Sequence, residues 1–334
     1  MRAGEAPRAI PPDLAPSPWR LGRGRMGGCS RRFSDRQQLG VLTLILSSAL
    51  ASTGCRLPGR DGPVPASVVA CRELSQRGIS AMERRDWTNA ELLLAKAVES
   101  CPEDVEARRH HAEALWFRGQ HQQAVGQLAE AIRLSGDDPT LWVRWGEMQL
   151  ALGQLDPGLQ GAQTALDLDP GIARGWALRG KAMRQRGDSR AALADFQHAL
   201  ALDPNNRDLL FDIAEMYREL QQPRRALASL QTLLESYPAQ EEPQKILLLA
   251  GLAYMALDRP EEAVERLLAA DRRGPPSTEV LYQLALAELQ AGRPDLADAA
   301  ARNALTLDPR HPASRELLER MSLAQRDPAI ATNR

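Results

Sequence analysis

From Cys71 to His311 apolar and polar positions alternate at helical spacing, in stretches of about a dozen residues broken by Gly, Pro or Asp. Small residues fall in phase across these stretches. Ala90, Ala124, Gly158, Ala192 and Ala226 are each 34 residues apart, Ala263 follows 37 later, and Ala297 34 after that. A second series lies twelve places earlier: Gly78, Ala112, Gly146, Gly180, Ala214, Gly251 and Ala285. A third lies seven places after the first: Ala97, Ala131, Ala165, Ala199, Leu233, Ala270 and Ala304. Leu94, Leu128, Phe196, Leu230 and Leu267 stand between them as larger fillers. The pattern predicts two helices per unit, crossing where the small residues let backbones approach. Gly119, Gly153, Gly187 and Gly292 mark the turn inside a unit. Pro102, Pro170, Pro204, Pro238, Pro275 and Pro309 end the second helix, because proline cannot continue its hydrogen bonding; Gly136 alone breaks that series.

One helical hairpin cannot bury its apolar face alone, so such units must stack. The phase sets seven of them, at 71–104, 105–138, 139–172, 173–206, 207–240, 244–277 and 278–311, with Glu241, Glu242 and Pro243 read as the three extra residues. The unit endings Leu166-Asp167-Leu168-Asp169-Pro170 and Leu200-Ala201-Leu202-Asp203-Pro204, with Trp142 and Trp176 opening first helices, are similar to the tetratricopeptide repeat. That resemblance implies an all-α fold: a right-handed superhelical array of about seven helix-turn-helix repeats. Residues 312–321 read as a C-terminal capping helix and 322–334 as a disordered tail.

Composition agrees. Hydrophobic residues make up 43% of the chain and aromatics 4%, so the core must be built from Ala and Leu, which suits close-packed helices. Charge is uneven. Residues 1–54 hold eight of the 42 basic and three of the 43 acidic side chains, leaving the remainder acidic by six. An acidic body without a basic stripe argues against nucleic acid as a partner.

Basic residues Arg31, Arg32 and Arg36 precede an apolar run from Leu39 to Ala51, and Ser52-Thr53-Gly54-Cys55 follows. This is the order of a secretory signal, with Met26 as a credible true start. The end of the run resembles the lipobox of bacterial lipoproteins, although Ser52 stands where that motif usually has Leu. The resemblance implies acylation of Cys55, with residues 1–54 removed and the Pro- and Gly-rich stretch 55–66 left as a flexible tether. Ordinary cleavage nearby and an uncleaved anchor are the other outcomes. All three place the body outside the cytoplasm, on the periplasmic side of a bacterial membrane. Arg56, where an inner-membrane retention signal would have Asp, favours the outer membrane.

The sequence offers no catalytic set, cofactor motif or metal motif. His110 and Glu113 share a helix face, and the plainer reading of them is solvated polar residues. Cys71 and Cys101 fall at one end of the first hairpin. They are either a disulfide, worth roughly 3–4 kcal/mol by loop closure, or two semi-buried thiols too far apart to bridge.

The family resemblance also implies that first helices line a concave groove. Its lining would include Leu248, Leu249, Leu252 and Met255 in the sixth unit and Tyr282, Leu286 and Leu289 in the seventh. The fourth unit would present Arg174, Lys181 and Arg184 there and the fifth Asp208, Asp212 and Glu215, and Trp116 and Phe117 lie near the same side. The same leucines could instead pack against the next hairpin. The function expected is a non-enzymatic, membrane-tethered scaffold binding other proteins through a peptide segment. The alternative is an accessory subunit of an envelope enzyme or export machine.

Overall fold

The computed structural model describes residues 66–326, with side chains over 68–323. The signal, Cys55 and most of the tether lie outside the described residues. Those described form fifteen helices and no strands: α1 Ala66–Glu83, α2 Trp87–Ser100, α3 Val105–Phe117, α4 His121–Leu134, α5 Pro139–Ala151, α6 Leu155–Leu168, α7 Ala173–Arg186, α8 Ser189–Leu202, α9 Arg207–Glu219, α10 Pro223–Glu235, α11 Gln244–Met255, α12 Pro260–Arg273, α13 Thr278–Gln290, α14 Pro294–Leu307 and α15 Pro312–Arg326. Helix α1 begins five residues before the first unit was expected to, and α15 continues five residues into the expected tail.

Helix starts are written locally. Asp86, Asp104, Asp138, Asp188, Asn206 and Ser277 each accept a backbone N–H of the first turn, and Pro139, Pro223, Pro260 and Pro294 sit at the first helical positions. Both devices satisfy or remove N–H groups that a helix start leaves orphaned. A recurring bond closes several units. Trp142 Nε1 donates to the carbonyl of Gly136 at 2.9 Å, Trp176 Nε1 to that of Pro170 at 2.8 Å, and Arg108 Nε to that of Pro102 at 2.8 Å. Arg315 on α15 reaches the Pro309 carbonyl in the same register. By this bond α15 stands in the register of the first helix of an eighth unit, and it is the last helix among the described residues. Glu319 stands where a complete unit needs a small residue, so its face suits water rather than a crossing helix.

The small-residue series mark the crossings. Every alanine of the three series is buried. A Cβ placed on Gly78, Gly180 or Gly251 would meet Leu94, Phe196 or Leu267 at 2.6–2.9 Å, so the large filler of each second helix occupies the space the glycine vacates.

The turn inside each hairpin has one left-handed residue, always the fifteenth of the unit. Gly119, Gly153, Gly187 and Gly292 hold it with φ between 74° and 90°, but Arg85, Gln221 and Asp258 hold it in the other three units at φ 56–60°. A side chain there costs roughly 1 kcal/mol that glycine avoids. Gln221→Gly is therefore expected to stabilise the fifth hairpin by about 0.5–1 kcal/mol, less the larger unfolded-state entropy of glycine. Urea titration of the two forms checks it.

Candidate interaction surface

First helices of consecutive hairpins touch one another, α5 with α7, α9 with α11 and α11 with α13, whereas each second helix packs on its own partner and on the next first helix. First helices thus form one continuous inner row. Its residues come from the second, fifth, sixth, ninth and twelfth places of each unit, and their chemistry changes along the array.

From α3 to α9 the row is a ladder of ion pairs. Glu113 and Arg144, 3% and 4% exposed, form a bidentate pair at 2.5 and 2.7 Å. Arg144 also donates to Glu147 at 3.1 Å, and Glu147 accepts Arg174 of the next first helix at 2.9 Å. Further on, Lys181 lies 3.7 Å from Asp212, while Arg184 donates to both Glu215 and Glu219 at 2.6 Å. The expectation that Glu113 is solvated is corrected here: the ninth place of one first helix faces the sixth place of the next, inside the packing. His110 instead lies 3.6 Å from Glu106, and burial, helped by the Arg109 charge, pushes its imidazole below the ordinary histidine range.

Burial has opposite outcomes at two carboxylates of this ladder. At Glu147 it disfavours the charge, but Arg174 and Arg144 outweigh it and hold the carboxyl below the ordinary range. At Asp212 burial wins; Lys181 and Arg184 only partly offset it, with Glu215 and Asp208 adding to the rise. Of the six charged groove residues anticipated from the sequence, Arg174, Lys181, Arg184, Asp212 and Glu215 have ionic partners within the array, whereas Asp208 is exposed.

Beyond α9 the row turns apolar. The Lys245 ammonium stands 4.5 Å from the Phe211 ring, at the boundary. Leu248, Leu252 and Met255 on α11 and Tyr282 and Leu286 on α13 are half-buried, resting on the core with one side open, and Leu289 is 38% exposed. Leu249 belongs to the core itself, at 5% exposed. Tyr282 packs edge-on against His311, whose Nδ1 accepts the Ser314 N–H at the start of α15. Near the other end Phe117 stacks on Trp87 at 4.2 Å while Trp116 is buried against His121.

Among the described residues no three His, Cys, Asp or Glu side chains converge as a metal site, and no helix is long and apolar enough to cross a membrane. Two tetratricopeptide repeat models match the chain, one over residues 171–310 and one over 75–139, together more than half of it. The chain belongs to the tetratricopeptide repeat family. Among curated relatives, the Hsp70-Hsp90 organizing protein of Triticum aestivum is 24% identical over 144 residues, 43% of this chain and 25% of that protein. The chain spans less than half the length of the curated relatives it matches first. Of solved structures, pilF of Pseudomonas aeruginosa superposes with a TM-score of 0.58 at 18% identity, covering 68% of this chain and 99% of that one. YrrB, described as a tetratricopeptide repeat protein with an unusual peptide-binding site, gives 0.51 at 19% identity, covering 57% and 97%. Proteins of this family mediate protein–protein interactions and are typically scaffolds rather than enzymes.

The 31-residue spacing of opposite charges is the signal that would have found the buried pair from sequence. Glu113 and Arg144, Lys181 and Asp212, and Arg184 and Glu215 all share it.

Proposed function

We propose that this tetratricopeptide repeat protein is a non-enzymatic scaffold of a bacterial cell envelope, tethered by an acylated Cys55. It captures an apolar peptide segment of a partner protein on the first helices of its sixth and seventh repeats. The observation that carries the groove reading is the division of labour along the inner row. The charged half is consumed by its own ion pairs, while Leu248, Leu252, Met255, Tyr282, Leu286 and Leu289 offer apolar faces to whatever lies above them. Apolar side chains on neighbouring helices, resting on a rigid core, are the surface type that anchors a peptide. A peptide-binding site on a neighbour of the same fold is compatible with this reading. The tether rests on the sequence alone, on the order of basic, apolar and small residues ahead of Cys55.

Two experiments test the halves separately. A photoreactive phenylalanine analogue replacing Tyr282 is expected to cross-link a discrete protein in intact cells. Leu252→Glu in that background should remove most of the adduct, since burying a carboxylate against an apolar ligand costs about 2 kcal/mol or more. Helical circular dichroism should be unchanged, and an undiminished adduct would overturn the groove. Intact mass from native membranes should show a mature chain starting at Cys55 with added acyl mass, absent in Cys55→Ala; an unacylated chain removes the tether.

A further inference from the structure

The first hairpin carries two thiols that scaffolding does not use. Cys71, on α1, is 1% exposed, and Cys101 is the residue that ends α2. Both address a single atom: Cys71 Sγ donates to the Ala97 carbonyl at 3.4 Å, and the Cys101 backbone N–H donates to the same oxygen at 2.9 Å. The Cys101 side chain packs on the cluster of Cys71, Ala97 and Ala107. Cys71 Sγ also lies 3.7 Å from Asp104 Oδ2, while the other oxygen of that carboxylate caps α3 by accepting the Ala107 N–H at 3.0 Å. The two side chains share one cluster, as a disulfide at this place requires.

The geometry points to an oxidative modification site: a Cys71–Cys101 disulfide that ties the start of α1 to the end of α2 within the folded array. Both residues stand as thiols in this structure. The oxidant required is a disulfide of the form RSSR, such as glutathione disulfide. Cys101, the more exposed sulfur, attacks first as thiolate, forming a mixed disulfide and releasing RS⁻. Cys71 Sγ then attacks Cys101 Sγ and displaces the second RS⁻. The two protons lost by the protein convert both RS⁻ to RSH, so two thiols are oxidised and one RSSR is reduced. Burial, then Cys101 and Asp104, push the Cys71 thiol up to about 12, which makes it a poor first nucleophile; its place beside Cys101 is what suits it to the second step. Among the described residues this hairpin has a neighbouring hairpin on one side only, so a covalent closure acts where stacking is least.

The test uses the full chain, whose other two cysteines, Cys29 and Cys55, make site assignment necessary. Purified protein is equilibrated in glutathione buffers of graded oxidised-to-reduced ratio, quenched in acid, alkylated and digested with trypsin. The expected product is a reducible cross-link between peptides 61–72 and 97–108, two hydrogens lighter than the separate peptides, with amide exchange in α1 slowed at least tenfold. Cys71→Ser should leave Cys101 as a glutathione adduct, and Cys101→Ser should leave Cys71 unmodified in the folded protein. Complete alkylation of both cysteines at every ratio would overturn the proposal. So would a Cys101–glutathione adduct in the wild-type chain that never resolves to the internal cross-link.

Discussion

Glu113→Ala is expected to destabilise the junction of the second and third repeats by about 3–5 kcal/mol, because it leaves the Arg144 guanidinium buried without its bidentate partner. Arg144 keeps one bond to Glu147, itself shared with Arg174, so part of the charge remains compensated and the lower end of that range is favoured. The loss has a local signature. In a stacked array stability is close to a sum of hairpin and junction contributions, so amide exchange should accelerate in α3–α6 and leave α11–α14 almost unchanged. Replacing both partners by apolar residues of similar volume, Glu113→Leu with Arg144→Met, should recover most of the loss, since no unpaired charge then remains. A double mutant as unstable as Glu113→Ala would mean that the pair contributes more than mutual compensation.

The second large effect is expected at Gly161. A Cβ there would lie 2.9 Å from Gly146 Cα and 2.9 Å from the Trp142 carbonyl oxygen, both backbone atoms that cannot turn aside. Alanine would gain about 1 kcal/mol in helix propensity over glycine, yet it forces α5 and α6 apart. Valine adds two methyl groups to that clash, and overpacking of this kind costs about 3 kcal/mol. Gly161→Val should therefore open the third hairpin, and Gly161→Ala should be destabilising despite its helical preference. A neutral Gly161→Ala in urea unfolding would show that the two helices can separate freely. Gly126→Ala is the control: nothing lies within 4 Å of a Cβ at Gly126, so propensity alone acts there and the change should stabilise.

The small residues of the three series and Glu113 differ in how far sequence could see them, and Gly161 stands outside those series. The crossing glycines and alanines were legible because their partners lie in the same hairpin. Gly180 meets Phe196 sixteen residues on, and Gly251 meets Leu267 at the same distance, so one repeat length encodes both sides of the contact. Left-handed turns were legible only where glycine fills them. Arg85, Gln221 and Asp258 adopt the same φ because the two flanking helices impose it, and no local residue preference announces that.

By itself the sequence determined the helical hairpins, their number and their phase, because caps, prolines and small-residue spacing are local and repeat every 34 residues. Only the tertiary structure decided the use of each first-helix residue. Glu113 and Leu249 are drawn inside by the neighbouring helix, whereas Leu252 and Leu286, at the ninth place of their units, keep one side open. That choice depends on the offset between hairpins, set by how their side chains interlock and not by any one repeat. It separates the self-paired ionic half of the inner row from the apolar half that keeps one side open.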